Sequence, residues 1–284
     1  MKLRVIFFIL AALFVPSCKW AADLNKKLEN SQPPRDLPTL SKEDAKKIYL
    51  APGNPSNADT ARDNFLIVNA AFAAGYNERK AHANWVSWRL TKDDLGDAAR
   101  QNDFRPDPSL PPGFPEIDSS DYSSSGFERG HLCPSADRAS SSAFNSLTFL
   151  MTNIAPQEHD LNAGPWEKLE RYSRALARRD ANLYIIAGGY GSKGKLKNKV
   201  NVPSNFWKII VVVENGGDIS AVNENTRVIA VDMPNERGIL NKNWREFAVS
   251  VRSIEEKTGY DFLSALPRKL QDALETKVDP RSEK

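Results

Sequence analysis

The sequence predicts an α+β domain with a central antiparallel β-sheet flanked by helices. Segments rich in β-branched and aromatic residues follow one another along the chain, as strands do in such a sheet. Segments with helical periodicity lie between some of them and near the C-terminus. The 284 residues are 40% hydrophobic and 26% charged, an ordinary globular composition that excludes collagen-like, coiled-coil and broadly disordered chains.

The first residues resemble an export signal. Lys2 and Arg4 precede an unbroken apolar run from Val5 to Val15. This run suits the core of a signal peptide and is too short to cross a bilayer as a helix. We therefore expect residues 1–17 to be a signal peptide and the protein to be exported. Their removal takes away two positive charges and changes the formal net charge from +3 to +1.

Two kinds of export signal fit this N-terminus. The sequence VPSC at residues 15–18 resembles a bacterial lipobox, in which Cys18 would carry the lipid and become the mature N-terminus. Pro16 is unusual inside a lipobox, and the alternative is an ordinary secretory signal that is cut nearby. The expected location is therefore secreted, periplasmic or lipid-anchored at the cell surface, with membrane contact only through Cys18.

The rest of the chain divides into a tether and one domain. Residues 18–49 are polar and contain several prolines, so they are predicted to form a tether or N-terminal segment. Residues 50–284 show no internal repeat and are long enough to bury the core of a single domain. Residues 104–115 contain five prolines with Phe and Leu between them, which predicts a stiff surface loop.

Six segments are predicted to be strands because β-branched and aromatic residues are concentrated in them. They are Trp85–Leu90, Leu147–Thr152, Leu183–Ala187, Phe206–Val213, Arg227–Val231 and Phe247–Val251.

Three segments are predicted to be helices. Pro165–Arg179 is the clearest, because Pro165 suits the first helical position and apolar side chains recur along one face. Ser253 with Glu256 resembles a capping box that starts a second helix. The third is predicted over Leu266–Lys277.

Residues 127–138 (FERGHLCPSADR) concentrate groups that can carry chemistry. His131 is a candidate general base near neutral pH. Arg129 and Arg138 could hold an anion such as phosphate, and Gly130 could allow a ligand to approach closely. Each residue taken singly is more often structural, and the cluster is more suggestive than any one member.

A second group of polar residues follows downstream. Glu170 and Arg174 are four residues apart and share one helix face, where they could form either a surface ion pair or part of a site. Asn162 precedes this helix and could simply shape the turn.

Cysteine and histidine usage narrows the chemistry further. Two cysteines cannot build a disulfide scaffold or a four-cysteine zinc site, and three scattered histidines leave little for a histidine-rich metal site. Cys133 is interpreted as a small buried packing residue, His82 as structural and His159 as exposed without a role. The near-neutral net charge means that any nucleic-acid binding must come from a local site.

At these residues the chain resembles the sugar-non-specific DNA/RNA endonucleases that carry a ββα-metal site. Residues 128–131 (ERGH) resemble the D-R-G-H signature of that family. Several motifs in the right order, over roughly residues 50–279, are far more specific than one short pattern. The match continues through residues 134–138, 152–157 and 161–170, and upstream, with the cyanobacterial (Anabaena-type) secreted members, through 83–88 and 100–107.

The resemblance implies a ββα-metal finger and a role for each polar residue in it. His131 would be the general base that takes a proton from the attacking water, and Asn153 would support it. Asn162 would be the single protein ligand of Mg²⁺, or alternatively Mn²⁺, with waters completing the coordination. Glu128 and Glu170 would act on the metal through its bound waters.

The resemblance also implies how phosphate is held and what is cut. Arg100, Arg129 and Arg174 match family arginines near the phosphate and would balance charge in the transition state. The implied activity is Mg²⁺-dependent hydrolysis of DNA and RNA, single- or double-stranded, without sugar or sequence specificity, leaving 5′-phosphates. The protein is expected to be a monomer, and a dedicated inhibitor protein is an expected partner.

One residue departs from the family pattern. The family signature begins with Asp, whereas this chain has Glu128, whose stem is one methylene longer. The longer arm could change metal affinity or rate. Two alternatives therefore stay open: a metal-dependent phosphodiesterase with a narrower substrate, and a catalytically impaired surface lipoprotein that binds nucleic acid.

Overall fold

The computed structural model describes residues 40–280, and a six-stranded antiparallel sheet is their largest element. The strands are β1 Phe65–Val68, β2 Ala73–Asn77, β3 His82–Leu90, β4 Glu128–His131, β5 Ile154–Gln157, β6 Asn182–Tyr190, β7 Lys195–Leu196, β8 Val200–Asn201, β9 Asn205–Val213 and β10 Arg227–Pro234. The sheet has the order β1-β2-β3-β6-β9-β10, while β4 pairs with β5 and β7 with β8. This arrangement confirms the α+β prediction with a central antiparallel sheet.

The middle of the sheet is apolar on both faces. Strand β9 pairs with β6 on one side and β10 on the other, and its residues from Phe206 to Val213 are all buried. A strand that is covered on both faces needs a nearly continuous apolar run rather than an alternating one. Trp85, Trp88 and Trp207 are fully buried in the same core, as is usual for tryptophans at strand positions.

Helices and turns surround the sheet. The helices are α1 Lys42–Tyr49, α2 Ser142–Leu147, α3 His159–Leu161, α4 Glu167–Ala177, α5 Val251–Thr258 and α6 Arg268–Glu275, and a π-helical turn, Asn162–Trp166, joins α3 to α4. Helix α1 contacts β1, β2 and β3, α4 contacts β6, and α6 contacts β10. Short 3₁₀ turns lie at Lys92–Asp94, Ser119–Tyr122, Ser135–Arg138, Met151–Asn153, Ile219–Ala221 and Trp244–Phe247.

Four of the six predicted strands lie within β3, β6, β9 and β10, and two predictions are wrong. Leu147–Thr152 instead runs from the last residue of α2 into a 3₁₀ turn, where Phe149 and Leu150 are buried without a sheet. Its backbone is satisfied by Arg105, whose N–H donates to Phe149 O at 3.3 Å and whose carbonyl accepts from Met151 N at 2.9 Å. A short apolar run predicts burial and does not by itself predict a strand.

The second wrong strand, Phe247–Val251, contains the start of a helix. Phe247 ends a 3₁₀ turn, and Ser250 caps α5, its Oγ accepting a hydrogen bond from Ser253 N at 3.1 Å. The predicted helix at this place exists, but its cap is Ser250 rather than Ser253. The other two helix predictions correspond to α4, preceded by the π-turn, and to α6.

Helix α1 falls inside the segment that was predicted to be a tether. Ser41 caps it through a 3.0 Å bond from Asp44 N, and Ala45 and Tyr49 are buried in the core. Ser87 Oγ on β3 donates to Tyr49 O at 2.6 Å. Residues 42–49 therefore belong to the folded domain, because their apolar face covers the sheet. The predicted signal peptide, Cys18 and the rest of the tether up to residue 39 lie outside the described residues.

Strands β4 and β5 and helix α4 form the predicted ββα finger. Glu128 pairs with Gln157 and His131 with Ile154, so residues 128–131, which resemble the family signature, occupy the whole of β4. A Cβ atom at Gly130 would lie 2.1 Å from Gln157 Oε1. Glycine is thus required here by the neighbouring strand, which corrects the interpretation of Gly130 as space for a ligand. Within residues 40–280 no helix has the length and apolar character needed to cross a membrane.

Candidate active site

His131 ends β4 in an aromatic setting. It is 8% exposed, and its ring lies edge-on to Phe149 with centroids 4.9 Å apart and 5.6 Å from the ring of Phe104. Its Nε2 is buried and has no hydrogen-bond partner among the described residues. A buried polar atom without a partner is costly and uncommon in a structural histidine. Its presence marks His131 as a functional candidate.

The surroundings of His131 keep its ring uncharged. Burial lowers the pKa of His131 to about 3, and the positive charges of Arg100 and Arg129 act in the same direction. A neutral imidazole can accept a proton, whereas an imidazolium cannot.

Asn153 fixes the chain that follows His131. It is fully buried, its Oδ1 accepts from Cys133 N at 2.9 Å, and its Nδ2 donates to Cys133 O and Thr148 O, both at 2.8 Å. Each buried backbone group needs such a partner. Asn153 therefore holds the end of β4 against the turn that carries Phe149. Cys133 is free and buried, and burial raises the pKa of its thiol, as expected of a packing residue.

Glu128 and Asn162 face each other across the finger. Asn162 Nδ2 donates to Glu128 Oε2 at 2.7 Å, and Glu128 Oε1 lies 2.7 Å from His159 Nδ1. Burial alone would raise the pKa of Glu128, but the hydrogen bonds from Asn162 and His159 outweigh it and hold the pKa below its usual value. The hydrogen bond to Glu128 raises the pKa of His159. His159 is exposed as predicted, but its partnership with Glu128 was missed.

The π-turn that presents Asn162 is held by packing on both sides. A Cβ atom at Gly164 would come within 2.9 Å of the backbone of Leu240, so only glycine fits there. Trp166 is fully buried, and its Nε1 donates to His131 O at 3.4 Å. These contacts tie the position of Asn162 to the end of β4.

Glu170 forms a buried ion pair that the sequence did not predict. Lys208 Nζ lies 3.4 Å from Glu170 Oε1 and 3.9 Å from the ring centroid of Trp166, and Lys208 is 1% exposed. Burial raises the pKa of Glu170 although Lys208 opposes the shift, and burial lowers the pKa of Lys208. One signal was available: Lys208 interrupts the apolar strand β9.

Arg174 is held in place by an ion pair with Asp137. Its Nη1 lies 3.0 Å from Asp137 Oδ1, and Asp137 Oδ2 accepts from Trp88 Nε1 at 3.1 Å. Arg138 is fully buried and donates to the carbonyls of Ala71, Asp137 and Arg89 at 2.8–2.9 Å. The prediction that Arg138 could hold phosphate is therefore wrong, since all three guanidinium nitrogens serve the core.

The exposed arginines stack on the rings beside His131. Arg129 lies 4.4 Å from the centroid of Phe104 and Arg100 4.9 Å from that of Phe149. Arg100 Nη1 also donates to Ser135 Oγ at 2.7 Å. The two guanidinium groups and the imidazole of His131 thus pack against the same pair of rings.

The cleft beside these side chains has a volume of about 440 Å³, and its lining does not include the nearly buried His131. The cleft brings together four of the predicted site residues, while Glu170 and Arg174 lie in the layer beside it. Phe104 and the Tyr122 segment were not predicted to belong to the site. The lining residues are Arg100, Asn102, Phe104, Tyr122, Ser123, Phe127, Glu128, Arg129 and Asn162.

The donors in the cleft suit a hard divalent cation. Asn162 Nδ2 is committed to Glu128, which leaves the amide oxygen of Asn162 as an available ligand beside the Glu128 carboxylate. Oxygen donors of this kind are preferred by Mg²⁺, which keeps several waters when bound. Among the described residues no cluster of three or more His, Cys, Asp or Glu forms a cage. A cation here would be held by few protein atoms and largely through water.

Comparison with known proteins gives consistent relatives. A family model described as DNA/RNA non-specific endonuclease matches residues 52–269. The chain is 47% identical over 237 residues to a protein named Nuclease from Nostoc sp., covering 82% of this chain and 86% of that protein. It is 31% identical over 225 residues to the protein named Nuclease from Serratia marcescens, covering 75% and 80%.

A solved structure shows the same fold. The matched chain in the crystal structure of the EndoG/EndoGI complex superposes with a TM-score of 0.67 at 25% sequence identity. The match covers 82% of this chain and 95% of that chain. The overall fold of this chain therefore also occurs in that structure.

Proposed function

Because the chain belongs to the family of DNA/RNA non-specific endonucleases, we propose that it hydrolyses phosphodiester bonds of DNA and RNA with His131 as the general base on water. The observation that carries the proposal is the uncharged, nearly buried imidazole at the end of β4, with one nitrogen fully enclosed. A general base must be unprotonated at the working pH, and the environment of His131 keeps it so.

The arginines beside His131 supply the complement to phosphate. Arg129 and Arg100 line the cleft with exposed guanidiniums, which match the oxygens of a phosphodiester and stabilise added negative charge in the transition state. Contacts to phosphate carry no sequence information, and a site that avoids the 2′-hydroxyl treats DNA and RNA alike. Single- and double-stranded substrates are therefore both proposed.

The proposed cofactor is Mg²⁺, with Mn²⁺ as a substitute. Asn162 would ligate it directly, and Glu128 and Glu170 would hold it through bound waters. When bound, such an ion supplies charge neutralisation at the phosphate and at the leaving 3′ oxygen. Glu128 meanwhile orients the Asn162 amide through their 2.7 Å hydrogen bond. Cleavage of the bond between the phosphorus and the 3′ oxygen leaves 5′-phosphates.

Location and partners are further parts of the proposal. The basic and apolar start of the chain supports export, with removal of residues 1–17 and, in the lipobox alternative, a lipid on Cys18. The matched structure is named as an EndoG/EndoGI complex and a mechanism of EndoG inhibition. On that basis we propose a dedicated inhibitor protein for this chain. We also propose that the enzyme is a monomer. Mass spectrometry of the mature N-terminus separates a lipidated Cys18 from a soluble secreted form.

The experiment is incubation of the purified mature protein with supercoiled plasmid and with folded RNA, in Mg²⁺, Mn²⁺ or chelator. We expect both substrates to be cut with either metal and neither with chelator, and the new 5′ ends to accept labelled phosphate only after phosphatase treatment. Cutting of only one substrate would favour the narrower phosphodiesterase. No cutting by a folded, metal-loaded sample would overturn the enzymatic proposal and favour an impaired nucleic-acid-binding protein.

A further inference from the structure

A second groove, of about 350 Å³, adjoins the cleft that contains Glu128 and Asn162. Its lining includes three arginines and no carboxylate. Arg174 is paired with the buried Asp137, whereas Arg100 and Arg178 have no carboxylate partner among the described residues, so the groove carries uncompensated positive charge in a nearly neutral protein. The lining residues are Leu95, Gly96, Ala98, Arg100, Ser135, Ala136, Ala139, Asn145, Arg174 and Arg178.

The groove and the cleft share one lining residue, Arg100. The other two arginines of the lining belong to α4 and its C-terminal cap. Arg174 and Arg178 are four residues apart at the C-terminal end of that helix, so their side chains start from one face, about 6 Å apart along the axis. Arg100, Arg174 and Arg178 thus make up a row of three arginines in the groove lining, and Arg100 also lines the cleft.

The members of this row differ in how firmly they are held. Arg174 is bound to the buried Asp137, and Arg100 is bound to Ser135 and to Asn102 at 2.7 and 2.8 Å. Arg178 is exposed, and among the described residues its guanidinium makes no hydrogen bond or ion pair. The inner arginines are therefore preorganised, while the outer one keeps its donors for a ligand.

The wall opposite the arginines is made of small side chains and close backbone. A Cβ atom at Gly96 would lie 2.6 Å from Ala139 O, so the loop at residues 95–98 lies directly against the turn that follows the 3₁₀ segment Ser135–Arg138. Ala98 N donates to Ala139 O at 3.0 Å and fixes this contact. The groove has no aromatic ring for stacking a base, which favours a backbone ligand over a nucleobase.

We propose that this groove binds the backbone phosphate adjacent to the scissile one, with Arg178 as its outer contact. The inference rests on the proposed nuclease function and extends it to a second phosphate subsite. A strand whose scissile phosphate lies in the cleft continues past Arg100, and the row of guanidiniums receives its next negative charge. Binding through this subsite is independent of base and sugar, in keeping with contact to phosphate alone.

The experiment measures binding of a fluorescent single-stranded 12-mer to the His131→Ala protein, with and without Arg178→Ala, between 50 and 200 mM NaCl in Ca²⁺. Loss of one phosphate contact should reduce the slope of log affinity against log salt by about 0.7 to 1. Arg179→Ala is the matched control: it removes the same charge from the same exposed helix end, and Arg179 does not line the groove. Equal slopes for the Arg178 and Arg179 variants would overturn the proposal.

A second measurement locates the contact. One methylphosphonate linkage, which is uncharged, is placed at successive positions on either side of each linkage that the wild-type enzyme cuts in the 12-mer. We expect one neighbouring position to weaken binding to the His131→Ala protein and to have no effect once Arg178 is also Ala. If methylphosphonate weakens binding at the same positions and to the same extent with and without Arg178→Ala, the subsite is contradicted. Failure of the wild type to cut the unmodified 12-mer would instead contradict the proposed function, so the two failures are distinguishable.

Discussion

The side-chain amide of Asn162 donates a 2.7 Å hydrogen bond to Oε2 of Glu128, joining the π-turn before α4 to the first residue of β4. The second oxygen of the same carboxylate lies 2.7 Å from His159 Nδ1. One carboxylate thus orients the amide and is itself steadied by an imidazole. The glutamate stem, longer than the aspartate of the family signature, is accommodated by a partner on each oxygen.

We expect Glu128→Ala to weaken divalent-metal binding by about 10–100-fold, because partners that orient a metal ligand typically contribute that much. Without the carboxylate, the Asn162 amide is free to rotate its oxygen away from the cleft. Calorimetric titration of the apoprotein with Mn²⁺ measures the affinity directly, independently of turnover. An unchanged affinity would show that Glu128 does not orient the ligand.

His159→Ala is the matched control for this prediction. His159 is exposed, and exposed ion pairs contribute little, so we expect the Mn²⁺ affinity to change by less than about fivefold. A loss as large as that of Glu128→Ala would assign the orientation to His159 rather than to Glu128.

We expect His131→Ala to lower kcat by about 10²–10⁴-fold, the usual contribution of a positioned general base. The variant should remain folded, although the loss of packing against Phe104 and Phe149 lowers its thermal unfolding midpoint. Plasmid nicking and circular dichroism measure the two quantities. Substantial remaining activity in a folded variant would refute the role of His131 as base.

The pH dependence of cleavage follows from the lowered pKa of His131, about 3. A base acts in its unprotonated form, so kcat/KM is lost only as pH falls through the pKa of the free enzyme. A histidine with the ordinary pKa of about 6.5 would lose roughly tenfold between pH 7.5 and 5.5. We expect a smaller loss here, measured at saturating metal for each pH.

The acid limb is the part of the pH profile in which kcat/KM falls with falling pH. Arg100→Ala should move this limb to higher pH, since it removes one of the positive charges that lower the pKa of His131. Lys269→Ala removes an exposed positive charge on α6 and serves as the control that should leave the limb in place. An acid limb that starts near pH 6.5 in the wild type would contradict the uncharged, buried state of His131.

We expect Lys208→Met to destabilise the fold at pH 8 by about 3–5 kcal/mol, the cost of leaving one member of a buried ion pair without its partner. The pKa of Glu170 is already raised by burial and should rise further in the variant. As pH falls, Glu170 therefore takes up a proton and the penalty shrinks. Urea unfolding at pH 8 and pH 5 measures both values, and an equal penalty at the two pH values would contradict this account.

Much of the fold follows from local patterns in the chain. Apolar runs at β6, β9 and β10 predict strands because a sheet interior excludes polar side chains. Pro165 predicts the helix that bears Glu170 and Arg174, although that helix begins at Glu167 and Pro165 lies in the π-turn before it. The same local reasoning fails at Phe149 and Leu150, where an apolar run is buried in a turn. A local apolar run predicts that a segment is buried. Whether the segment is also a strand depends on a pairing partner from elsewhere in the chain.

The family, the ββα finger and the segments that carry its polar residues can be predicted from the chain alone, because their motifs occupy short, ordered stretches from Arg100 to Arg174. The partners of these residues are visible only in the folded chain: Lys208 beside Glu170, His159 on Glu128, and the contacts that bury Arg138 in the core. The tertiary structure also revealed the row of guanidiniums that ends at Arg178. The physical reason is distance along the chain, since Coulombic and hydrogen-bonding contacts act within a few ångströms and most of these pairs form between segments that only folding brings together.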